Sequence, residues 1–378
     1  MALVLNEEQQ LLKESADGFF AEKAPISQLR ELRDSQSETG FSADLWSEMA
    51  EMGFAGLLVD EDNGGTDFGV MGAGIVAEAM GKTLSASPYL ASAVVSAAVL
   101  KAAASDAQKA ELLPAIAAGE KIVTLAIDES AHHRPENTAL KAAADGDGYV
   151  LSGMKTFVCD GHVADAFLVL ARTSGETGDT SGLSLFLVEK GGAGLIVDRT
   201  VMADSRNWAK ITFEGVRVGA DSLVGPLGGA FDAIEPALDH ARIIVAAELL
   251  GIAQECLDRT VEYLRDRKQF GVVIGSFQGL QHRAAHLFSE IEVTRSAVLK
   301  AMQMADAGGD VRWFASLAKA KACKTAELAT NEAIQMHGGI GMTDEFDIGF
   351  FIKRARVLQS LFGDFNYHAD RFASCSSY

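Results

Sequence analysis

The sequence predicts an α+β protein in which a helical N-terminal domain, a middle antiparallel β domain and a C-terminal four-helix bundle follow one another. Three observations support this fold class. Apolar residues recur at helical spacing up to about residue 120, short β-branched and aromatic runs follow, and helical spacing returns after Gly228-Gly229. We therefore expect domains at residues 1–120, 121–226 and 227–378.

The N-terminal part contains several helix boundaries. Asn6 can cap a first helix that starts with two glutamates, and Pro25 lies near the end of that helix. The polar and Gly-rich stretch 62–66 predicts a turn. The Ala-rich stretch 90–104 continues the helical pattern, and Asp106 can cap the next helix.

The middle part is predicted to be a meander of antiparallel strands. Gly and Asp clusters separate its β-branched and aromatic runs, as expected for short strands joined by turns. The predicted strands are 121–127, 149–155, 166–172, 183–189 and 210–213.

The C-terminal part reads as long helices. The segments 230–267, 277–307 and 312–337 keep helical spacing over lengths that suit a bundle. A last helical segment runs through 351–361 and beyond.

Composition excludes some function classes. The chain has 378 residues, is 48% hydrophobic and carries a formal net charge of −19. Nonspecific nucleic-acid binding needs Lys and Arg to neutralise phosphates, so we do not expect it, nor adsorption to an anionic membrane. An anionic ligand would need a local basic patch.

Cysteine usage and the termini bear on localisation. Cys159, Cys256, Cys323 and Cys375 form no CxxC pair, so we expect neither a zinc site nor a disulfide framework. We predict a cytoplasmic protein, because a reducing compartment fits and no signal peptide is evident. The longest apolar stretch, 89–100, is shorter than the ~20 residues of a membrane helix.

The stretch 263–278 has the residues of a nucleotide site. Arg267 has a planar donor fork suited to phosphate, and Phe270 and Phe277 are aromatic surfaces nearby. Gln269 and Gln278 carry amides able to read a polar heterocycle. The alternative interpretation is a helix C-terminus with a cation near its dipole, a Gly stop and two core Phe residues.

Two segments resemble the signatures of acyl-CoA dehydrogenases. Tyr263-x-x-x-Arg267-x-Gln269-Phe270-Gly271, followed by Phe277-Gln278, resembles their flavin-binding signature. Residues 335–342, Gln-Met-His-Gly-Gly-Ile-Gly-Met, resemble their second one. The order and separation are those of the family, and the helix, sheet, helix order extends the resemblance over nearly the whole chain.

The resemblance implies FAD as cofactor and α,β-dehydrogenation of an acyl-CoA thioester in lipid metabolism. It implies that flavin takes a hydride from the β-carbon while a carboxylate removes the α-proton. It also implies that flavin lies between the middle sheet and the C-terminal bundle. A neighbouring subunit would hold its pyrophosphate and adenine, through residues matching Arg267, Gln269, Phe270, Phe277, Gln278, Gln335, Gly338 and Gly339. The expected partners are therefore a second copy in a dimer or tetramer and an electron-transfer flavoprotein or similar acceptor.

The middle domain departs from the family pattern. The family's Trp-Ile-Thr or Trp-Ile-Ser, which lies against the flavin, is Phe157-Val158-Cys159 here. A thiol does not match a hydroxyl as a hydrogen-bond donor to the flavin. The family's Thr-Glu-Pro segment is replaced by residues 127–137.

The catalytic carboxylate is missing from both positions where the family places it. Phe362 occupies one and Ala241 the other, and neither can accept a proton. Glu248, seven residues after Ala241, returns to nearly the same helix face and is one candidate base. Asp364, which matches a family Thr that touches the cofactor, is another, and both have structural alternatives as an interhelical hydrogen-bonding group and a helix cap. Arg242 matches the family's active-site Arg and needs a partner on its apolar helix.

A metal site is not expected. Glu129, His132 and His133 lie close in sequence, but adjacent His side chains do not share a face and no third ligand recurs nearby. We predict a solvated loop there.

Three functional interpretations stay open. The first is an acyl-CoA dehydrogenase with a relocated base, and the Phe362-Gly363-Asp364 ending resembles members that act on bulky steroid-like or ring-bearing acyl groups. The second is a non-catalytic or half-site subunit of a heterotetramer, which lends FAD contacts to a second acyl-CoA dehydrogenase-like chain. The third is a flavoprotein oxidase on the same scaffold.

Overall fold

The computed structural model describes residues 3–376, and its N-terminal part is helical as predicted. Asn6 caps the first helix, because its side chain accepts from Gln9 N while the Gln9 side chain accepts from Asn6 N. Ser105, and not Asp106, caps the sixth helix. The α-helices are α1 (Glu7–Lys23), α2 (Ile26–Asp34), α3 (Ala43–Glu51), α4 (Gly69–Thr83), α5 (Ala97–Ala103) and α6 (Asp106–Ala117).

A buried π-helix, Tyr89–Ser96, precedes α5. The Ala97 N–H donates to the Ser92 carbonyl, which is the five-residue backbone offset of a π turn, and the Ser96 hydroxyl donates to the Ala91 carbonyl at 3.0 Å. The Ala-rich pattern predicted helix here, and periodicity of apolar residues does not separate the π form from the α form.

The middle part forms an eight-stranded sheet with the strand order β6-β7-β3-β2-β4-β5-β8 and with β1 on β4. The predicted meander is wrong, because β1 and β2 run parallel to β4 and the chain must cross over. The strands β2, β6 and β8 were not predicted. The strands are β1 (Val123–Ala126), β2 (Lys141–Asp145), β3 (Gly148–Cys159), β4 (Ala166–Arg172), β5 (Leu183–Glu189), β6 (Leu195–Val201), β7 (Asn207–Gly219) and β8 (Leu223–Val224).

One face of this sheet carries its core. A cluster of buried apolar side chains on this face contains Phe167, Phe186 and Phe213. Val158 on β3 and its register partner Ala209 on β7 belong to the same cluster. Side chains alternate along a strand, so the next pair, Cys159 and Trp208, points to the opposite face.

The C-terminal part contains five helices and one short hairpin. No helix within the described residues is long and apolar enough to cross a membrane. The elements are α7 (Ala230–Asp266), β9 (Lys268–Gln269), β10 (Val272–Val273), α8 (Gln278–Asp306), α9 (Arg312–His337), α10 (Ile348–Ser360) and α11 (Phe365–Cys375).

The chain divides into two compact units. One contains the residues up to Glu31, Val70–Ser85 and everything from Arg242 on; the other contains Leu32–Gly69 and Ala86–Ala241. Each unit therefore takes residues from the N-terminal helices. The three sequence domains at 1–120, 121–226 and 227–378 stay a prediction.

Candidate functional site

A two-residue hairpin follows α7 and presents the first predicted cofactor residues. Gln269 pairs with Val272, so Phe270 and Gly271 form the turn, and both have positive φ (57° and 81°). Such a turn favours Asn-Gly, so Phe270 holds an unfavourable backbone conformation. Its side chain is 89% exposed. An exposed ring in a strained position is typical of a binding residue.

The groups beside this turn suit a phosphate-bearing aromatic ligand. The rings of Phe270 and Phe277 meet edge to face with centroids 6.1 Å apart, and Phe277 is 40% exposed. Gln278 is exposed at the start of α8, and the guanidinium of the exposed Arg267 has no hydrogen bond or ion pair with any residue from 3 to 376. A cation and an apolar surface without partners fit a nucleotide.

The second signature lies where α9 ends. Gly338 has φ 64° and terminates the helix, and a Cβ at Gly338 or Gly339 would meet no atom within 4 Å. Gln335 is exposed one turn earlier. The backbone of this turn is therefore open to a ligand.

His337 joins the two signatures. Its ring stacks on Tyr263 of α7 with centroids 4.5 Å apart, and its Nδ1 donates to the Ala333 carbonyl at 2.7 Å. Burial lowers the pKa of His337, and nearby Arg259 acts in the same direction. The ends of α7 and α9 are thus held together by the stack of Tyr263 and His337.

A bulge in β3 carries the third predicted group. Lys155 pairs with Ile211 and Val158 with Ala209, so Thr156 and Phe157 together oppose the single residue Lys210. Phe157 has φ 54° and is 41% exposed. Cys159 directs its thiol to Asp160 at 3.5 Å, whereas Val158 faces the sheet core and offers a ligand only backbone groups.

The loop after β1 is not the solvated loop that we predicted. The fully buried Lys155 ammonium donates to the Ile127 carbonyl at 3.0 Å and to Glu129 at 2.8 Å. Burial lowers the pKa of Lys155, and the Glu129 carboxylate opposes that shift. His133 is buried against Asp128, with 3.0 Å between Nδ1 and Oδ2, whereas the adjacent His132 is exposed. Interactions between residues far apart in sequence order this loop, and local patterns do not reveal them.

Among residues 3–376, no group of three His, Cys, Asp or Glu side chains lies where it could hold a metal ion.

Arg242 brings together the regions where the family places its carboxylate. It is fully buried; its Nε donates to the Phe362 carbonyl at 3.2 Å, and its Nη2 donates to the Tyr367 hydroxyl at 3.3 Å. Ala241 precedes Arg242 on α7, and Phe362 lies in the turn between α10 and α11. Phe362 occupies one of the two positions that lack the family's carboxylate, and Ala241 occupies the other. The structure places Phe362 beside Arg242, the residue that follows Ala241.

Both candidate bases have structural partners. Glu248 Oε1 lies 2.7 Å from Arg354 Nε, and the two side chains are only 4% and 3% exposed. Asp364 caps α11 by accepting from Tyr367 N at 2.9 Å. The partners of both carboxylates hold them in place, which suits a structural role better than proton abstraction. Catalytic roles for Glu248 and Asp364 stay predictions that this geometry does not favour.

Lys319 is a site residue that the sequence analysis missed. Its buried ammonium donates to three carbonyls, those of Leu358 (3.0 Å), Gln359 (3.2 Å) and Gly363 (3.0 Å). Burial lowers its pKa, and the Cys323 sulfur, 3.6 Å away, opposes the shift. The end of α10 and the Phe362 turn are thereby fastened to α9. The available signal was a lone lysine on the alanine-rich face of a helix.

Two glycines allow α4 and α7 to pack closely. A Cβ at Gly81 on α4 would collide with the Glu248 carbonyl, and one at Gly251 on α7 would collide with the Glu78 carbonyl. At Gly251, the space beside α7 is therefore filled by α4.

Three family descriptions match the chain in order. The N-terminal, middle and C-terminal domains of acyl-CoA dehydrogenase match residues 6–120, 125–216 and 228–374. The short/branched chain specific acyl-CoA dehydrogenase, mitochondrial, of Rattus norvegicus is 32% identical over 81% of this chain and 72% of that protein.

Solved structures agree with this match. The Tcur3481-Tcur3483 steroid ACAD variant has a TM-score of 0.88 at 28% identity and covers 98% of each chain. The FAD complex of PigA has a TM-score of 0.92 at 26% identity and covers 100% of this chain and 99% of that one. The chain belongs to the acyl-CoA dehydrogenase family, whose members are FAD-dependent oxidoreductases acting on the CH–CH bond of acyl-CoA thioesters.

Proposed function

We propose that this chain carries out FAD-dependent α,β-dehydrogenation of a bulky, steroid-like or ring-bearing acyl-CoA. The observation that carries the cofactor assignment is the pair of exposed segments after α7 and α9, joined by the Tyr263–His337 stack. The bulky acyl group is supported by the likeness to the steroid ACAD variant and by the Phe362-Gly363-Asp364 turn.

The cofactor would be held by groups of different chemistry. Arg267 would pair with phosphate, Phe270 and Phe277 would cover the adenine, and the open Gly338-Gly339 backbone would allow close approach. Phe157 and Cys159 would lie against the ring system of a flavin whose pyrophosphate and adenine are held by these groups of a neighbouring subunit. When bound, FAD supplies the hydride acceptor for the acyl β-carbon.

Arg242 would orient the acid–base side of the site. Its Nε donates to the Phe362 carbonyl and its Nη2 to the Tyr367 hydroxyl, and the Phe362 ring stands where the family pattern has a carboxylate. The α-proton must then go to another group, and Glu248 and Asp364 are the candidates in this chain.

A half-site subunit is the second candidate function. It is favoured by the structural partners of Glu248 and Asp364, the two candidate bases. Glu248 is tied to Arg354 and Asp364 to the start of α11. Such a chain would lend its hairpin and glycine turn to the FAD of a second acyl-CoA dehydrogenase-like chain.

Expression of the chain alone tests both functions. For the enzyme, we expect a flavin absorbance band in the purified protein and anaerobic bleaching by a steroid side-chain CoA thioester, with butyryl-CoA slower by about tenfold or more. Full flavin loading without bleaching by either thioester would contradict the enzyme function. A colourless protein that becomes yellow only when a second acyl-CoA dehydrogenase-like chain is co-expressed would establish the half-site.

A further inference from the structure

We propose that the indole N–H of Trp208 donates a hydrogen bond to the ring system of the bound flavin, in place of the hydroxyl that Cys159 lacks. This inference rests on the proposed use of FAD by this chain. It assigns a cofactor contact to β7, a strand that neither flavin-binding signature includes.

The three tryptophans differ in their hydrogen bonding. Trp46 Nε1 donates to the Gly119 carbonyl at 3.0 Å, and Trp313 Nε1 donates to the Ser376 hydroxyl at 2.9 Å. Trp208 is only 4% exposed, yet its Nε1 has no acceptor among residues 3–376. An indole N–H is a donor only and is costly to bury without an acceptor, so the acceptor must come from outside the described chain.

The position of Trp208 in the sheet points to the same ligand as the β3 bulge. Trp208 is the register partner of Cys159, and paired residues of antiparallel strands share a face. Its ring meets Phe157 edge to face with centroids 6.5 Å apart. Cys159 and Phe157 are the residues that match the family's flavin-facing segment.

A second polar atom on the bulge lacks a partner. Thr156 Oγ1 is buried and has no hydrogen bond with the described residues. Thr156 and Phe157 both belong to the bulge, and Phe157 holds a positive φ there. Strain and unpartnered polar groups in one place are typical of a site completed by a ligand.

The chemistry of the flavin fits this face. The thiol of Cys159 is directed to Asp160 and is a weak donor. The flavin ring edge carries carbonyl oxygens and ring nitrogens that accept hydrogen bonds. An indole N–H supplies a neutral donor for such an edge, and the Phe157 ring supplies the adjacent apolar surface.

Trp208→Phe tests the inference with readouts other than turnover. We expect the FAD dissociation constant to rise about tenfold, as for the loss of one hydrogen bond in a buried site. We also expect the flavin absorption maxima and midpoint potential to shift. Trp46→Phe and Trp313→Phe are matched controls, because both remove an indole whose acceptor lies within the chain, and both should leave the flavin spectrum unchanged.

A second measurement keeps Trp208 in place in case Trp208→Phe does not fold. In the Trp46→Phe/Trp313→Phe double variant, Trp208 is the only indole, and FAD addition should quench most of its emission. The inference would be overturned if a folded Trp208→Phe protein kept the FAD retention, flavin spectrum and midpoint potential of the wild type. Trp208 emission that FAD does not diminish in the double variant would also overturn it, and so would a wild type that takes up no FAD. A wild type that binds FAD but is bleached by no acyl-CoA would defeat the proposed function alone.

Discussion

At the scale of single residues, variants of the Glu248–Arg354 ion pair can distinguish a structural role of Glu248 from a catalytic one. We expect Glu248→Gln to lower the free energy of unfolding by about 3–5 kcal/mol, because it removes the negative charge from a buried ion pair with Arg354. Urea denaturation measures this loss. A change below about 1 kcal/mol would show that the pair contributes little.

The double variant Glu248→Leu/Arg354→Met tests Glu248 as the base. Replacing both charges by apolar side chains of similar size should restore stability to near the wild type. We expect anaerobic flavin bleaching at the wild-type rate in this protein if Glu248 is structural. A stable double variant with bleaching slower by about 10²–10⁴-fold would instead identify Glu248 as the proton acceptor.

At the scale of elements, His162 fastens the 37–40 segment to the sheet. Its Nε2 donates to the Thr39 carbonyl at 2.8 Å, and its Nδ1 is buried without a hydrogen-bond partner among the described residues. Burial lowers the pKa of His162, with Arg199 and Lys190 acting in the same direction. The unfolded chain therefore takes up this proton first, and native stability falls as pH drops from about 6.5.

His162→Gln should remove part of that pH dependence. The glutamine amide can still donate to Thr39 but does not titrate, so we expect a shallower fall of Tm between about pH 7.5 and pH 5. His286→Gln is the matched control, because His286 is exposed. Equal slopes for the wild type and His162→Gln would show that His162 does not cause the acid sensitivity.

Local sequence patterns predicted most elements but not their tertiary partners. The start of α1 follows from Asn6, and α9 occupies the predicted 312–337 range. The Lys-Ala-Ala-Ala-Asp strand β2 has little β propensity and forms because β3 pairs with it. Arg354 lies 106 residues from Glu248, so periodicity could identify a buried glutamate but not its partner.

At the scale of the whole molecule, a few exposed cations stand out against a chain of net charge −19. Arg265, Arg267 and Lys268 are exposed together where α7 ends. Among residues 3–376, the two most exposed large apolar side chains are Phe270 and Met342, at 89% and 78%, and they lie in the two signature segments. A local basic and apolar surface on an acidic protein favours an anionic, aromatic ligand and a second chain that covers it.

Arg267→Ala tests whether this surface holds FAD. We expect the FAD dissociation constant to rise about 10- to 100-fold, as for the loss of a charge-assisted hydrogen bond to phosphate, with a weaker dependence on salt. The ratio of flavin to protein absorbance after size-exclusion chromatography measures retention, and the elution volume reports the oligomeric state. Arg265→Ala removes an equal charge two residues earlier on α7 and should retain FAD like the wild type. If both variants retain FAD as the wild type does, Arg267 acts only on the dipole of its own helix. If both variants lose FAD to the same extent, only the summed charge matters.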